Sequence, residues 1–142
     1  MAKIGAHEGE EQLNKANLLV VEDDLFLRNL LIKKLMGEGY GIWEAIDGPS
    51  ALKTLEEKKP HLIILDLLLP GIDGYEVLSR IKKSTDLSKI PVIVLSNLSS
   101  QDDVSRAVEL GAADYIIKAN FTLEEIVERI KKLLKEKYFE VV

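Results

Sequence analysis

The chain has 142 residues, of which 46% are hydrophobic and 30% charged, and this composition predicts one domain with an apolar core. The formal net charge of −5 provides no broad basic surface, so we expect no direct binding to nucleic acid. The absence of cysteine excludes disulfides and thiolate chemistry, and the two histidines are too far apart in sequence to suggest zinc. No apolar run is long enough to span a membrane, and no signal peptide precedes the domain, so we expect a cytoplasmic protein without a membrane partner.

In chain order, residues 1–16 are polar and lack periodicity. We interpret them as a flexible leader before a domain at residues 17–138, with residues 139–142 as a C-terminal tail. Short apolar runs then alternate with helix-like segments. These runs predict five strands: Leu18–Val21, Ile42–Ile46, Leu62–Leu65, Val92–Leu95 and Tyr115–Ile117. Three of them are apolar throughout, which is typical of parallel strands covered on both faces.

The segments between and after these runs predict helices. The clearest covers residues 122–137, where apolar residues recur at three- and four-residue steps and predict one buried stripe. Thr122 and Glu125 have the spacing of a capping box at its start. Residues suited to cap other helices are Asp73, at the start of the third, and Gly39 and Gly111, after the first and fourth.

Five strands that alternate with five helices predict a doubly wound α/β domain. No G-x-G-x-x-G follows the first strand, and a sixth strand is lacking, which argues against the dinucleotide-binding order. We therefore predict a five-stranded parallel sheet in the flavodoxin-like order 2-1-3-4-5. In such sheets, ligands bind outside the carboxyl ends of the strands.

Polar side chains follow four of the predicted strands, and the carboxyl ends of neighbouring parallel strands lie about 4.8 Å apart. We therefore expect these side chains to converge on one crevice. Oxygen ligands without histidine or cysteine suit Mg²⁺, and a carboxylate beside Mg²⁺ can attack phosphorus. A hydroxyl and an ammonium could contact the oxygens of the transferring group. The residues are Glu22, Asp23, Asp24, Asp66, Ser96 and Lys118.

Each of these residues, taken alone, has a simpler explanation. The acidic run could cap a helix, Asp66 and Ser96 could belong to turns, and Lys118 could be a surface lysine. Their joint placement at four strand ends favours a functional site.

Four segments resemble the receiver domains of two-component response regulators: LLVVEDD at 18–24, LIILDLLLPGIDGYEVL at 62–78, PVIVLS at 91–96 and GAADYIIK at 111–118. The resemblance covers about residues 17–137. It implies a phosphoacceptor switch that assists its own phosphorylation and dephosphorylation but is not an enzyme. It also implies a histidine kinase or a phosphotransfer protein as the donor.

Carried over by position, the resemblance implies that Asp66 is the phosphoacceptor. Asp23 would be a direct Mg²⁺ ligand, with Glu22, Asp66 and the backbone carbonyl of Leu68 completing the protein's contribution. Asp24 would cap the first helix instead.

The resemblance also implies a conformational switch. Ser96 matches the switch hydroxyl, Lys118 the lysine that contacts the phosphoryl group, and Tyr115 the aromatic switch residue. The face formed by the fourth helix, the fifth strand and the fifth helix would bind a downstream protein target. Whether phosphorylation also produces a dimer is open. No effector segment follows the domain, so we expect a single-domain regulator, unless the chain is cut from a longer one.

Two features depart from the family pattern. Ala119 follows Lys118 where the family usually has proline, which leaves the isomer of that peptide bond open. The segment between Lys118 and Thr122 is one residue longer than usual, so we expect a reshaped loop there.

Two other functions compete with the phosphorylated switch. A Mg²⁺-dependent phosphatase or phosphotransferase of the haloacid-dehalogenase type would need a second aspartate two residues after Asp66, where this chain has Leu68. A receiver-like interaction module that is not regulated by phosphorylation would usually lack one of the charged site residues, and all of them are present here.

Overall fold

A computed structural model of the protein describes residues 16–138, where five strands alternate with five helices. The strands are β1 (Asn17–Val21), β2 (Gly41–Ala45), β3 (Leu62–Leu65), β4 (Val92–Ser96) and β5 (Asp114–Ile117). The helices are α1 (Leu25–Gly37), α2 (Gly48–Glu57), α3 (Gly74–Lys83), α4 (Gln101–Glu109) and α5 (Leu123–Tyr138).

The strands form one parallel sheet in the order β2-β1-β3-β4-β5, which confirms the predicted topology. Two apolar layers cover the sheet because successive side chains of a strand point to opposite faces. Leu19 and Val21 of β1 pack in the layer that contains α2, α3 and α4. Leu18 and Val20 pack in the layer that contains α1 and α5. The three central strands are covered on both faces, as their apolar sequences predict.

The predicted leader and tail lie outside the described residues, except for Ala16. Ala16 is buried, and its carbonyl accepts a hydrogen bond from the amide of Gly41 at 3.0 Å. The domain bounds at residues 17–138 stay a prediction.

The predicted helix ends are confirmed. The Asp73 carboxylate accepts a hydrogen bond from the amide of Glu76 at 3.0 Å, and Thr122 and Glu125 form the capping box of α5. Gly39 and Gly111 follow α1 and α4 with φ angles of 102° and 106°, a region in which glycine is favoured.

The second strand was predicted to end one residue too late, whereas the other boundaries that differ lie one residue outside the predicted runs, at Asn17, Gly41, Ser96 and Asp114. Ile46 was expected to end the second strand, but β2 stops at Ala45 and the Ile46 side chain is exposed. Asp47 then caps α2 by accepting a hydrogen bond from the amide of Ser50, so the chain has already turned away from the sheet at residue 46. Among the described residues, no helix is both long enough and apolar enough to cross a membrane.

The start of α3 lies against the backbone that follows β3. A Cβ atom added to Gly74 would lie 2.5 Å from the carbonyl oxygen of Asp66 and would also overlap the Cα of Leu67. The amide of Gly74 donates to the carbonyl of Leu67 at 3.0 Å, which holds the two segments together. Glycine at position 74 therefore allows α3 to approach Asp66 closely.

We expect Gly74→Ala to lower the free energy of unfolding by about 1–3 kcal/mol, because backbone atoms must move to admit the methyl group. Gly37→Ala is the matched control, since a Cβ at Gly37 meets no atom within 4 Å. It should raise stability by up to about 1 kcal/mol through helix propensity. Urea unfolding measures both effects, and equal stabilities for the two variants would contradict the close approach.

Candidate functional site

Three carboxylates meet at the carboxyl ends of β1 and β3. Oxygens of Glu22, Asp23 and Asp66 all lie within 4.8 Å of one another. Glu22 and Asp66 are buried, whereas Asp23 is exposed, so the cluster opens to solvent on one side. A compact set of oxygen donors with an open side fits Mg²⁺, which binds through one or two carboxylates and keeps several waters.

Lys118, at the end of β5, bridges two of these carboxylates. Its Nζ atom lies 2.7 Å from Oε1 of Glu22 and 2.7 Å from Oδ2 of Asp66. Burial by itself lowers the pKa of the Lys118 ammonium, but the bonds to Asp66 and Glu22 outweigh burial and raise the pKa overall. Burial raises the pKa of the Glu22 carboxyl, and the nearby charge of Asp66 adds to this rise although Lys118 opposes it.

The Asp66 carboxylate is also fixed from the loop that follows it. The amide of Leu68 donates to Oδ1 of Asp66 at 3.1 Å, and the amide of Asp66 itself donates to the carbonyl of Val21 at 3.0 Å. The Leu68 peptide therefore lies beside the carboxylate, while the Leu68 side chain is 53% exposed. The carbonyl of Leu68 stays a predicted ligand.

Asp24 faces the helix and caps it, as predicted. Its Oδ1 atom accepts a hydrogen bond from the amide of Leu27 at 2.9 Å. The Asp24 amide in turn donates to Oε2 of Glu22 at 3.1 Å.

Ser96 and Tyr115 both contact the backbone of Leu98. The Leu98 amide donates to the buried hydroxyl oxygen of Ser96 at 3.3 Å, and the Tyr115 hydroxyl donates to the Leu98 carbonyl at 2.7 Å. Burial raises the pKa of the Tyr115 phenol to about 12, and nearby groups that include Asp103 and Asp66 add to the rise.

The segment after β5 forms a single 3-10 turn at Lys118–Asn120, and the Phe121 amide donates to the Lys118 carbonyl at 3.4 Å. No described residue follows a cis peptide bond, so the bond between Lys118 and Ala119 is trans.

Two residues near the site were not singled out from the sequence. The Tyr75 hydroxyl of α3 donates to the carbonyl of Asp103 in α4 at 3.1 Å, and the Arg106 guanidinium stacks 4.0 Å from the Tyr75 ring centroid. Arg28 of α1 is buried against the end of β1. The sequence signal for Arg28 was a single cation inside the apolar segment LFLRNLLI. For Tyr75, nothing in the sequence indicated that its hydroxyl would bond to Asp103.

The sequence model of the response regulator receiver domain matches residues 18–131. The transcriptional regulatory protein AfsQ1 of Streptomyces coelicolor is 41% identical over 102 residues, which cover 72% of this chain and 44% of that protein. This chain spans about half or less of the length of the curated relatives it matches.

Solved structures agree with the sequence comparison. A receiver domain protein from Methanospirillum hungatei superposes with a TM-score of 0.82 at 25% identity, covering 89% of this chain and 99% of that one. The receiver domain of the sensor histidine kinase PA1611 from Pseudomonas aeruginosa, with a magnesium ion coordinated in its active site cleft, superposes with a TM-score of 0.76 at 25% identity, covering 84% and 98%.

The sheet order is that of receiver domains in two-component signalling, and the acidic cluster lies at the carboxyl edge of this sheet. This chain belongs to the response regulator receiver domain family. Members of the family are phosphoacceptor switches that interact with histidine kinases and downstream targets.

The raised pKa of Tyr115 predicts a dependence of stability on alkaline pH. The folded value of about 12 lies above the ordinary value of 10.0, so the neutral phenol stabilises the fold fully below pH 10.0, and this contribution is lost as the pH rises toward 12. An NMR titration of carbon-labelled tyrosines, with Tyr115→Phe to assign the signal, measures the pKa. A Tyr115 signal that titrates at the ordinary value would show that the phenol is not held as described.

Proposed function

We propose that the protein accepts a phosphoryl group on Asp66, with Mg²⁺, from a histidine kinase or a phosphotransfer protein, and that phosphorylation switches a protein-interaction surface. The observation that carries this proposal is the grouping of Glu22, Asp23 and Asp66 with the ammonium of Lys118. The magnesium ion named for the Pseudomonas aeruginosa receiver supports the choice of cation.

In the proposed transfer, a carboxylate oxygen of Asp66 attacks the phosphorus of a phosphohistidine. A phosphorus–oxygen bond forms, the phosphorus–nitrogen bond breaks, and the imidazole leaves and takes up a proton. Mg²⁺, held by Asp23, Asp66 and the Leu68 carbonyl with Glu22 contributing, would neutralise charge on the phosphoryl oxygens. Lys118, already 2.7 Å from Asp66, would turn its ammonium to a phosphoryl oxygen.

The conformational change on phosphorylation would be transmitted from Ser96 and Tyr115 to α4. Both side chains contact the backbone of Leu98, and α4 begins three residues later, at Gln101. Among the nine residues of α4, all of which the structure describes, Ala107 alone is buried. We expect α4 to shift because little of it is buried, although Tyr75 of α3 contacts both Asp103 and Arg106 of α4. The face of α4, β5 and α5 is the proposed binding surface for a downstream target.

The alternatives remain less favoured. Leu68 occupies the position where a haloacid-dehalogenase-type phosphatase needs its second aspartate. An interaction module that is independent of phosphorylation would not need two buried carboxylates paired with one lysine. Burial of these charges costs free energy of folding, which favours a functional role for them. Because relatives include a transcriptional regulatory protein, the absence of direct nucleic-acid binding stays a prediction, as does the cytoplasmic location.

We expect Asp23→Asn to weaken Mg²⁺ binding by more than about tenfold, because a direct ligand matters at least as much as an outer-shell group. Asp24→Asn is the matched control: it removes the neighbouring charge, while asparagine caps a helix as well as aspartate does. Chemical shifts followed by NMR during a Mg²⁺ titration give both affinities. Equal affinities for the two variants would contradict the ligand assignment.

We expect acetyl phosphate with Mg²⁺ to add one phosphoryl group to the wild-type protein and none to Asp66→Asn. Asp86→Asn, which changes an exposed aspartate outside the cluster, should be modified like the wild type. Intact-mass spectrometry of the three proteins measures the modification. A phosphorylated Asp66→Asn protein would rule out Asp66 as the acceptor.

A further inference from the structure

Helix α1 buries an arginine while it exposes large apolar side chains. Arg28 is 7% exposed, whereas Leu25 and Phe26, at the start of the helix, are 62% and 73% exposed. A buried guanidinium is costly unless its hydrogen bonds are satisfied, so the partners of Arg28 should explain its position. Among the described residues, four polar or charged ones are buried: Glu22, Arg28, Asp66 and Ser96. All of these except Arg28 belong to the site already described.

The Arg28 guanidinium joins three elements. One terminal nitrogen donates to the backbone carbonyl of Glu22 at 2.8 Å, at the end of β1. Nε donates to Oε1 of Glu44 at 3.0 Å, on the edge strand β2, where the glutamate side chain is 55% exposed. The planar guanidinium supports these two bonds in different directions at once, which a lysine ammonium on a flexible chain does less well.

These contacts fix the short segment that carries the proposed cation ligands. The Glu22 amide donates to the Ala45 carbonyl at 3.0 Å, so the sheet holds Glu22 on one side and Arg28 holds its carbonyl on the other. Asp24 is held by its cap on α1 and by its bond to the Glu22 side chain. Asp23 lies between two restrained residues, so its backbone is restrained as well, and only the torsions of its exposed side chain are left to adjust to a cation.

We infer that Arg28 is a positioning residue for the cation site, and that Glu44 on β2 orients it. The inference rests on the proposed function, because it concerns the Mg²⁺ that Asp23 and Asp66 would bind. Arg28 does not touch the cation; it restrains the Glu22–Asp24 backbone so that the ligands need not be ordered when the cation binds.

The experiment compares Arg28→Met, Arg28→Lys and Glu44→Ala with the wild type. Arg80→Met is the matched control, since Arg80 makes an equivalent bond from Nε to Glu76 at 2.8 Å on the exposed face of α3. NMR titration measures the Mg²⁺ affinity, and urea unfolding measures stability. Hydrogen exchange of the Glu22 and Asp24 amides is followed by NMR in the absence of Mg²⁺.

Arg28→Met should weaken Mg²⁺ binding by about ten- to a hundredfold and speed exchange of both amides, whereas Arg80→Met should change neither. The Mg²⁺ affinity and the amide exchange rates of Arg28→Lys should lie between those of Arg28→Met and the wild type. Glu44→Ala, at an exposed side chain, should show a smaller loss of affinity even if Arg28→Met does not fold.

Two results would overturn the inference, and they are distinguishable. If the wild type binds Mg²⁺ and the Arg28 and Glu44 variants bind it equally well, Arg28 supports the fold alone and the proposed function stands. If the wild type does not bind Mg²⁺, the proposed function fails and the positioning role fails with it.

Discussion

The ammonium of Lys118 between the carboxylates of Glu22 and Asp66 is the interaction on which the rest of the site depends. Two carboxylates buried side by side repel each other, and each is costly to remove from water without a partner. Lys118 follows β5, while Glu22 follows β1, and β3 and β4 lie between these strands. The 2.7 Å contacts therefore form only when all four strands are paired in register. The pairing of these four strands, and no local motif, assembles the site.

Much of this arrangement could be predicted because it follows from periodicity. Uninterrupted apolar runs indicated buried parallel strands, and Asp73, Gly39 and Gly111 were identified as caps because each supplies a specific local bond or φ angle. The convergence of Asp66 and Lys118 followed from strand order alone. Ile46 was misplaced because apolar character extends one residue past the last β2 pairing, and the cap at Asp47 ends the strand first.

The unpredicted part consists of contacts whose partners are remote in sequence. Arg28 in α1 was not singled out, since nothing in the sequence of α1 indicates that the side chain reaches Glu44 of β2. Tyr75 was not singled out either, because its hydrogen bond to Asp103 depends on how α3 and α4 are placed beside each other. The contacts of both residues depend on how two secondary-structure elements are placed relative to each other, and the pattern of residues along the chain does not indicate this placement.

The contacts of Leu98 constrain how a change at Ser96 can reach Tyr115. A hydroxyl has one donor and two acceptor positions, so Ser96 can donate to a phosphoryl oxygen and still accept from the Leu98 amide at 3.3 Å. Movement of Ser96 would then carry the Leu98 peptide with it. The Tyr115 hydroxyl donates to the carbonyl of that same residue at 2.7 Å, so it must follow Leu98 or lose its partner. An unpartnered phenol in this partly buried position is unfavourable. We therefore expect the backbone of Leu98 to couple the two side chains and to pass the change to α4.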